Sequence, residues 1–320
     1  MALLTPLSLE EARAVVRDFG IELERIGALT AGSVNSNFRL VTNNGRALFL
    51  RVYEEQGADG AERELRLARE LAAQQIPVAQ PLARRDGRLQ SEHAGKPVAL
   101  FHWIEGELLC QKRVDPTSSR RVGEALARVH LATPAIGALP EGRFGLAGLR
   151  DRLDRIEGQT SAELTVAARA IRERLVAYAV SRDSTLPVGL IHGDLFRDNV
   201  LWRDGHIAAL LDFESASFGP WLYDLMVTVL AWCYGSSLEP GLVRAMLEGY
   251  HALRPLEARE LATARVEAGL ACLRFATTRI TDYSMRAAVG QPPLRDYRRF
   301  LARLAAVEGG ALDSALAELA

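Results

Sequence analysis

Lysine is nearly missing from this 320-residue chain: Lys96 and Lys112 are the only two among 39 basic side chains, the rest being arginine. A lysine contact to any ligand is therefore excluded from the first 95 residues, and an arginine has to do that work there. Cysteine is equally sparse. Cys110, Cys233 and Cys272 are far apart and form no CxxC pair, which excludes a disulfide framework and a zinc ribbon. No stretch approaches 18 uncharged apolar residues, so no spanning helix is expected. The start, MALLTPLSLEEARAVV, has no basic region followed by a long apolar run and does not read as a secretory signal. These absences predict a soluble, cytoplasmic protein with reduced thiols. A formal net charge of −1 argues against a nucleic-acid footprint spread over a whole face.

What is present is a sizeable core, with 48% hydrophobic residues. Ser8 and Glu11 form a capping-box pattern that opens a helix over 9–19. Strand-like runs follow at 25–31, 37–42 and 47–53, the last two joined by Asn43-Asn44-Gly45. Helical periodicity covers 61–75, and Pro77 stops it. A hairpin is expected around ARRDGRL (83–89), then an apolar strand at 97–103. Beyond it helices dominate, at 116–132, 146–157, 162–180, 221–234, 240–252, 257–282 and 294–308, with 309–320 expected to fray. A strand-rich interruption occupies 188–213. The expected organisation is α+β: a small antiparallel-sheet lobe over 1–102 and a larger helical lobe over 103–320.

The interruption carries the chemistry. GLIHGDLFRDNVLW sets His192, Asp194, Asp198 and Asn199 between apolar flanks, where polar groups are costly to bury without a purpose. Thirteen residues after Asn199, Asp212-Phe213-Glu214 ends another apolar run. Asp204-Gly205 between them reads as a hairpin turn, which would bring Asn199 and Asp212 to the same end. One carboxylate to take a hydroxyl proton, with an amide and a carboxylate as oxygen ligands for Mg²⁺, is the set that phosphoryl transfer needs.

At this point HGDLFRDNVLW…LLDFES resembles the catalytic segment of the protein-kinase-like phosphotransferases related to aminoglycoside and choline kinases. The resemblance implies a two-lobed kinase-like fold, ATP and Mg²⁺ as cofactors, Asp194 as the base, and Asn199 and Asp212 as metal ligands. Glu214 sits in the family's DxE arrangement. The family's phosphate-positioning cation corresponds to Arg51 in LFLRVY, with Glu64 as its helix partner in preference to Glu62. AGSVNSNF occupies the place of the nucleotide-covering turn, with Gly32, Ser33 and Ser36. FHWIEGE fits the adenine hinge, with Phe101, Trp103 and Ile104.

Within that family, SVNSNFRLVT, VGEALARVHLA, PWLYDLMVTVLAWCY and LRFATTRITDY are similar to the homoserine-kinase branch. This implies phosphorylation of L-homoserine on the route to threonine. The chain departs from that branch at Gly193 and at the DFE of 212–214, so other small alcohols stay open as acceptors: an aminoglycoside, a choline-like amine or an amino sugar. A non-catalytic nucleotide-binding member is the remaining alternative, and none of its expected losses has occurred. An amino-acid acceptor needs an acid for its ammonium, for which Asp198 and Asp224 are available, although Asp224 in YDL reads equally as a helix-start cap or structural acceptor. It also needs a cation for its carboxylate, for which Arg274 and Arg279 are available. The expected partners are ATP and the small acceptor, with the chain a monomer or homodimer. His192 and His130 are read as a loop-holding and a core histidine.

Overall fold

The computed structural model describes residues 4–29, 34–132, 142, 144–159, 161–287 and 293–319. The chain divides into two compact units. The first comprises 1–107, 133–137 and 200–214; the second comprises 108–132, 138–199 and 215–320.

In the first unit, α1 (Leu9–Arg17) is capped as expected, the Ser8 amide and hydroxyl both engaging Glu11. Strands β1 (Leu23–Leu29), β2 (Ser36–Thr42), β3 (Ala47–Val52), β4 (Gln90–His93) and β5 (Lys96–His102) form an antiparallel sheet in the order β1-β2-β3-β5-β4. Alternation along β3 sorts its side chains between two faces. Leu48, Leu50 and Val52 join Val15, Val16 and Phe38 in one core. Tyr53 joins Ala61 and Leu65 of α2 (Ala58–Ala73) in a second core, with Phe49 packed against it. By the same period of two, Arg51 shares the α2-facing side.

The hairpin expected at 83–89 lies elsewhere. Residues 84–88 make a hydrogen-bonded turn, but the two paired strands are β4 and β5, closed at Ala94-Gly95. Both turn residues have positive φ, 51° and 75°. Alanine rarely adopts that region, so the turn carried no sequence signal. Asp204-Gly205, by contrast, closes the expected hairpin of β8 (Val200–Arg203) and β9 (His206–Leu210), with φ of 51° and 74°. A two-residue strand β6 (Glu107–Leu108) precedes the second unit's helices.

The second unit holds α3 (Pro116–Leu131), α4 (Leu146–Gln159), α5 (Ala162–Val180), α6 (Trp221–Trp232), α7 (Pro240–Leu253), α8 (Ala258–Arg279), α9 (Arg298–Glu308) and α10 (Asp313–Ala317). Strand β7 (Val188–Ile191) pairs antiparallel with β10 (Ser217–Pro220), a strand that period-two reading did not anticipate. Helix α3 runs against α7 through Gly123 and Gly249. A Cβ at Gly123 would lie 2.1 Å from the Met246 carbonyl oxygen, and one at Gly249 would lie 2.3 Å from that of Arg120. Helix α8 is buried over most of its length and carries Glu260, Glu267 and Arg274 at intervals of seven, hence along one stripe. Each charge has a partner: Arg254 for Glu260, Arg182 for Glu267 and Asp194 for Arg274.

Two expectations change here. The helix expected to run to 282 ends at Arg279 and continues as a π-turn over Ile280–Ser284, a local widening that often accompanies functional sites. The tail expected to fray is packed, with Leu312, Ala315 and Leu316 buried.

Candidate active site

In the first unit, Arg51 donates from Nη1 to Glu64 at 3.3 Å and to Asp212 at 3.2 Å. Glu64 reaches it because it lies on the buried stripe of α2 with Ala61, Leu65 and Ala68. Glu62 faces outward and pairs with Arg66 one turn on. Burial works against the charge on Arg51, but the carboxylates of Asp212 and Glu64 outweigh it and hold the guanidinium ionised. Burial pushes the Glu64 carboxyl up to about 7, with Arg51 opposing and Asp212 and Glu214 adding to the rise. Asp212 has a φ of 65°, a strained backbone that aspartate tolerates better than most residues.

Arg51, Glu64 and Asp212 also line a cavity of about 240 Å³ that is otherwise mainly apolar, with Phe49, Val78, Phe101, Trp103, Ile104 and Leu210 among others. Thus the expected hinge residues Phe101, Trp103 and Ile104 are brought together with Arg51, Glu64 and Asp212. Asn35 links the end of the turn to this region, its Nδ2 donating to Glu214 at 3.5 Å and its Oδ1 accepting from the Glu54 amide at 3.1 Å. Gly32 and Ser33 lie outside the described residues. Ser36 is buried, donating to Glu54 at 2.5 Å and accepting from the Thr5 amide at 3.0 Å.

In the second unit, Asp194 sits after β7 in a loop whose backbone is held from below. Asp224, in the first turn of α6, accepts from the His192 amide at 2.7 Å and the Gly193 amide at 2.8 Å. His130 Nε2 lies 3.0 Å from the same carboxylate, and its Nδ1 lies 2.7 Å from the Tyr250 hydroxyl. A carboxylate only accepts, so a neutral ring donates from Nε2 and takes the tyrosine proton at Nδ1. Burial favours an uncharged Asp224, but the His130 hydrogen bond and the surrounding charges hold its carboxyl below the usual range. Burial holds His130 below its ordinary value. Asp224 is fully buried, so it anchors the loop and is withdrawn as an ammonium ligand. His192 is buried and accepts from the Asp194 amide at 3.3 Å, a loop-holding histidine as expected.

Asn199 donates from Nδ2 to the Asp194 carbonyl oxygen at 2.8 Å, which fixes the amide and leaves Oδ1 as its acceptor atom. Arg274 approaches Asp194 Oδ1 at 3.3 Å from Nη1 and is buried between the rings of Phe144 and Phe275, 4.1 and 3.7 Å from its guanidinium carbon. Arg274 and Gly193 also line a cavity of about 310 Å³, with Phe144, Arg182, Ser217 and Tyr223. Among the described residues its charged lining is Arg182 and Arg274, with no carboxylate. Arg279 is not part of it: its Nη1 donates to the Asp296 carbonyl oxygen at 2.9 Å and its guanidinium covers Phe300. Asp198 is paired with Arg295 at 2.9 Å and does not line the cavity either. Sequence reading missed Arg182, Tyr223 and Phe144, which come from separate elements and share no spacing with the HxD segment.

The model of the phosphotransferase enzyme family matches residues 25–256. Homoserine kinases of Methylobacillus flagellatus and Allorhizobium ampelinum are 32% and 34% identical, covering 88% and 82% of this chain and the same shares of their own. Solved structures of like fold include an amicoumacin kinase in complex with AMP-PNP and Ca²⁺ (TM-score 0.70, 15% identity, 96% of this chain and 92% of that one). A microcompartment-associated aminopropanol kinase is similar at a TM-score of 0.67, with 18% identity, covering 98% of this chain and all of its own. The fold is that of the protein-kinase-like phosphotransferases, and the chain belongs to the phosphotransferase enzyme family.

Proposed function

We propose that this enzyme uses ATP to phosphorylate the hydroxyl of L-homoserine. The observation that carries the acceptor is the cavity beside Gly193, charged only by arginines among its described lining, with Arg274 between it and Asp194. A carboxylate-bearing acceptor suits such a wall; a polycationic aminoglycoside or a choline-like amine does not. Homoserine kinases among its relatives agree with that choice.

The 1–102 lobe and the segment just after it are proposed to bind nucleotide, with Phe101, Trp103 and Ile104 against the base and Arg51, fixed by Glu64, on the phosphates. The 103–320 lobe is proposed to hold the acceptor. Asp194 orients the hydroxyl and accepts its proton. The freed oxygen bonds to the γ-phosphorus, and the bond to the bridging oxygen breaks with its electron pair leaving on ADP. Mg²⁺ bound with ATP supplies charge neutralisation on the phosphates. The donor set fits it, because the Asn199 amide oxygen and the Asp212 carboxylate are hard oxygen ligands. Arg274 takes the acceptor carboxylate.

An ADP-release assay across homoserine, serine, threonine, an aminoglycoside, choline and an amino sugar tests the reading. Turnover of homoserine well above the rest is expected, and preference for any cationic acceptor overturns it.

A further inference from the structure

We infer that the Arg274–Asp194 ion pair is a lock on the base that the acceptor's own carboxylate opens. The inference rests on the reading of Asp194 as base and of an acceptor bearing a carboxylate.

The three buried charges of α8 differ in how well they are satisfied. Glu267 takes both Nε and Nη2 of Arg182, at 2.9 and 2.8 Å. Glu260 takes Arg254 at 2.7 Å. Arg274 has one contact to Asp194, at 3.3 Å, and its Nε is buried with no hydrogen-bond partner. An arginine in an apolar sandwich with an unmet N–H is a poised arrangement, since a buried orphan donor is costly. A carboxylate entering the cavity that Arg274 lines offers two oxygens to the guanidinium and, once the side chain turns toward it, a partner for the unmet Nε, as Glu267 already provides for Arg182. Asp194 loses little when its partner moves, because its side chain is 35% exposed against 4% for Arg274.

The consequence concerns wasted ATP. With the cavity empty, one oxygen of Asp194 is engaged by Arg274 and is a poor proton acceptor for water. In the side reaction, water would pass its proton to Asp194, bond to the γ-phosphorus and release ADP as the bridging bond breaks. A carboxylate that draws Arg274 away frees that oxygen, so more of the base is available to take a proton when an acceptor is seated.

The test measures ADP release from MgATP by the protein with no acceptor, with L-homoserine, and with L-2-aminobutyrate, which keeps the carboxylate and ammonium but has no hydroxyl. L-2-aminobutyrate is expected to raise the background ADP release of the wild type by about tenfold, a modest share of what a positioned base supplies. Arg274→Gln is expected to show a raised background that L-2-aminobutyrate no longer changes, and a weakened KM for homoserine. A wild-type background indifferent to L-2-aminobutyrate overturns the lock, and that arm needs no variant to fold. Homoserine turnover with a flat background sinks the lock alone; absence of homoserine turnover sinks the acceptor reading instead.

Discussion

In the first unit a single guanidinium, Arg51, is set among three carboxylates, Glu64, Asp212 and Glu214. In the second unit each arginine lining the cavity has one carboxylate of its own, Glu267 for Arg182 and Asp194 for Arg274. The first arrangement carries surplus negative charge and calls for a cation, which is how a metal-nucleotide complex is received. The second is balanced and suits a ligand of no net charge, such as a zwitterionic amino acid. Two cavities of similar volume are thus told apart by their charge balance more than by their shape.

The comparison breaks most visibly at Asp194. Replacing it with Asn removes the proton acceptor and retains the hydrogen-bonding shape, and kcat is expected to fall by about 10³-fold. ATP affinity, read by calorimetry, should stay where it was, because Asp194 takes no part in the first unit's charge set. A loss of ATP affinity equal to the loss of kcat would show that the roles are not separate.

Arg51→Ala should do the opposite, raising KM for ATP by about tenfold or more while leaving KM for homoserine alone. It also strands Glu64 in a buried position, at a cost of about 3–5 kcal/mol in urea unfolding. The pair Arg51→Met with Glu64→Leu is expected to regain stability and not ATP binding. Recovery of both would remove Arg51 from the phosphates.

Much of this could be read from residue order. Glu64 was chosen over Glu62 by helical spacing, and the structure shows Glu64 paired with Arg51 and Glu62 facing Arg66. Asp204-Gly205 announced its hairpin because glycine and aspartate accept positive φ. Ala94-Gly95 hid one, since nothing in an alanine advertises a left-handed turn. Asp224 stays open in the sequence between ligand and structural acceptor for a related reason: a polar residue in YDL reads the same whether it faces a ligand or two backbone amides, and the structure shows the amides. Arg274 and Arg279 could not be ranked, because five residues along α8 turn a side chain to a different neighbour, and only packing says which one meets Asp194. Gly123 and Gly249 carry no signal in the sequence; in the structure they let α3 and α7 touch. Gly123→Ala is expected to cost about 1–3 kcal/mol through overpacking, seen as a lower Tm with unchanged KM values.

The smallest effect separates the units by the sign of their response to acid. Glu64 is pushed up to about 7 from its ordinary 4.5, chiefly by burial, so the folded first unit holds a proton there more tightly than the unfolded chain does. Its stabilising share is fully present below 4.5 and is lost as pH rises through about 7. His130 runs the other way, held below its ordinary 6.5 by burial: its share is present above that value and is lost as pH falls beneath it, by at most about 1.4 kcal/mol per pH unit. Asp224 is also lowered, from 3.8, and its loss begins only in stronger acid. Between pH 7.5 and 5.5 the loop should therefore loosen while α2 does not. Hydrogen exchange, corrected for its intrinsic pH dependence, reads this at the His192 and Gly193 amides, which are bonded to Asp224, and in α2 around Glu64. Protection is expected to fall at the former and to hold or rise at the latter. His130→Gln should abolish the loop's response in that range, since glutamine keeps a donor for Asp224 without a titrating ring. A same-signed response in both units would mean that burial does not set these two groups apart.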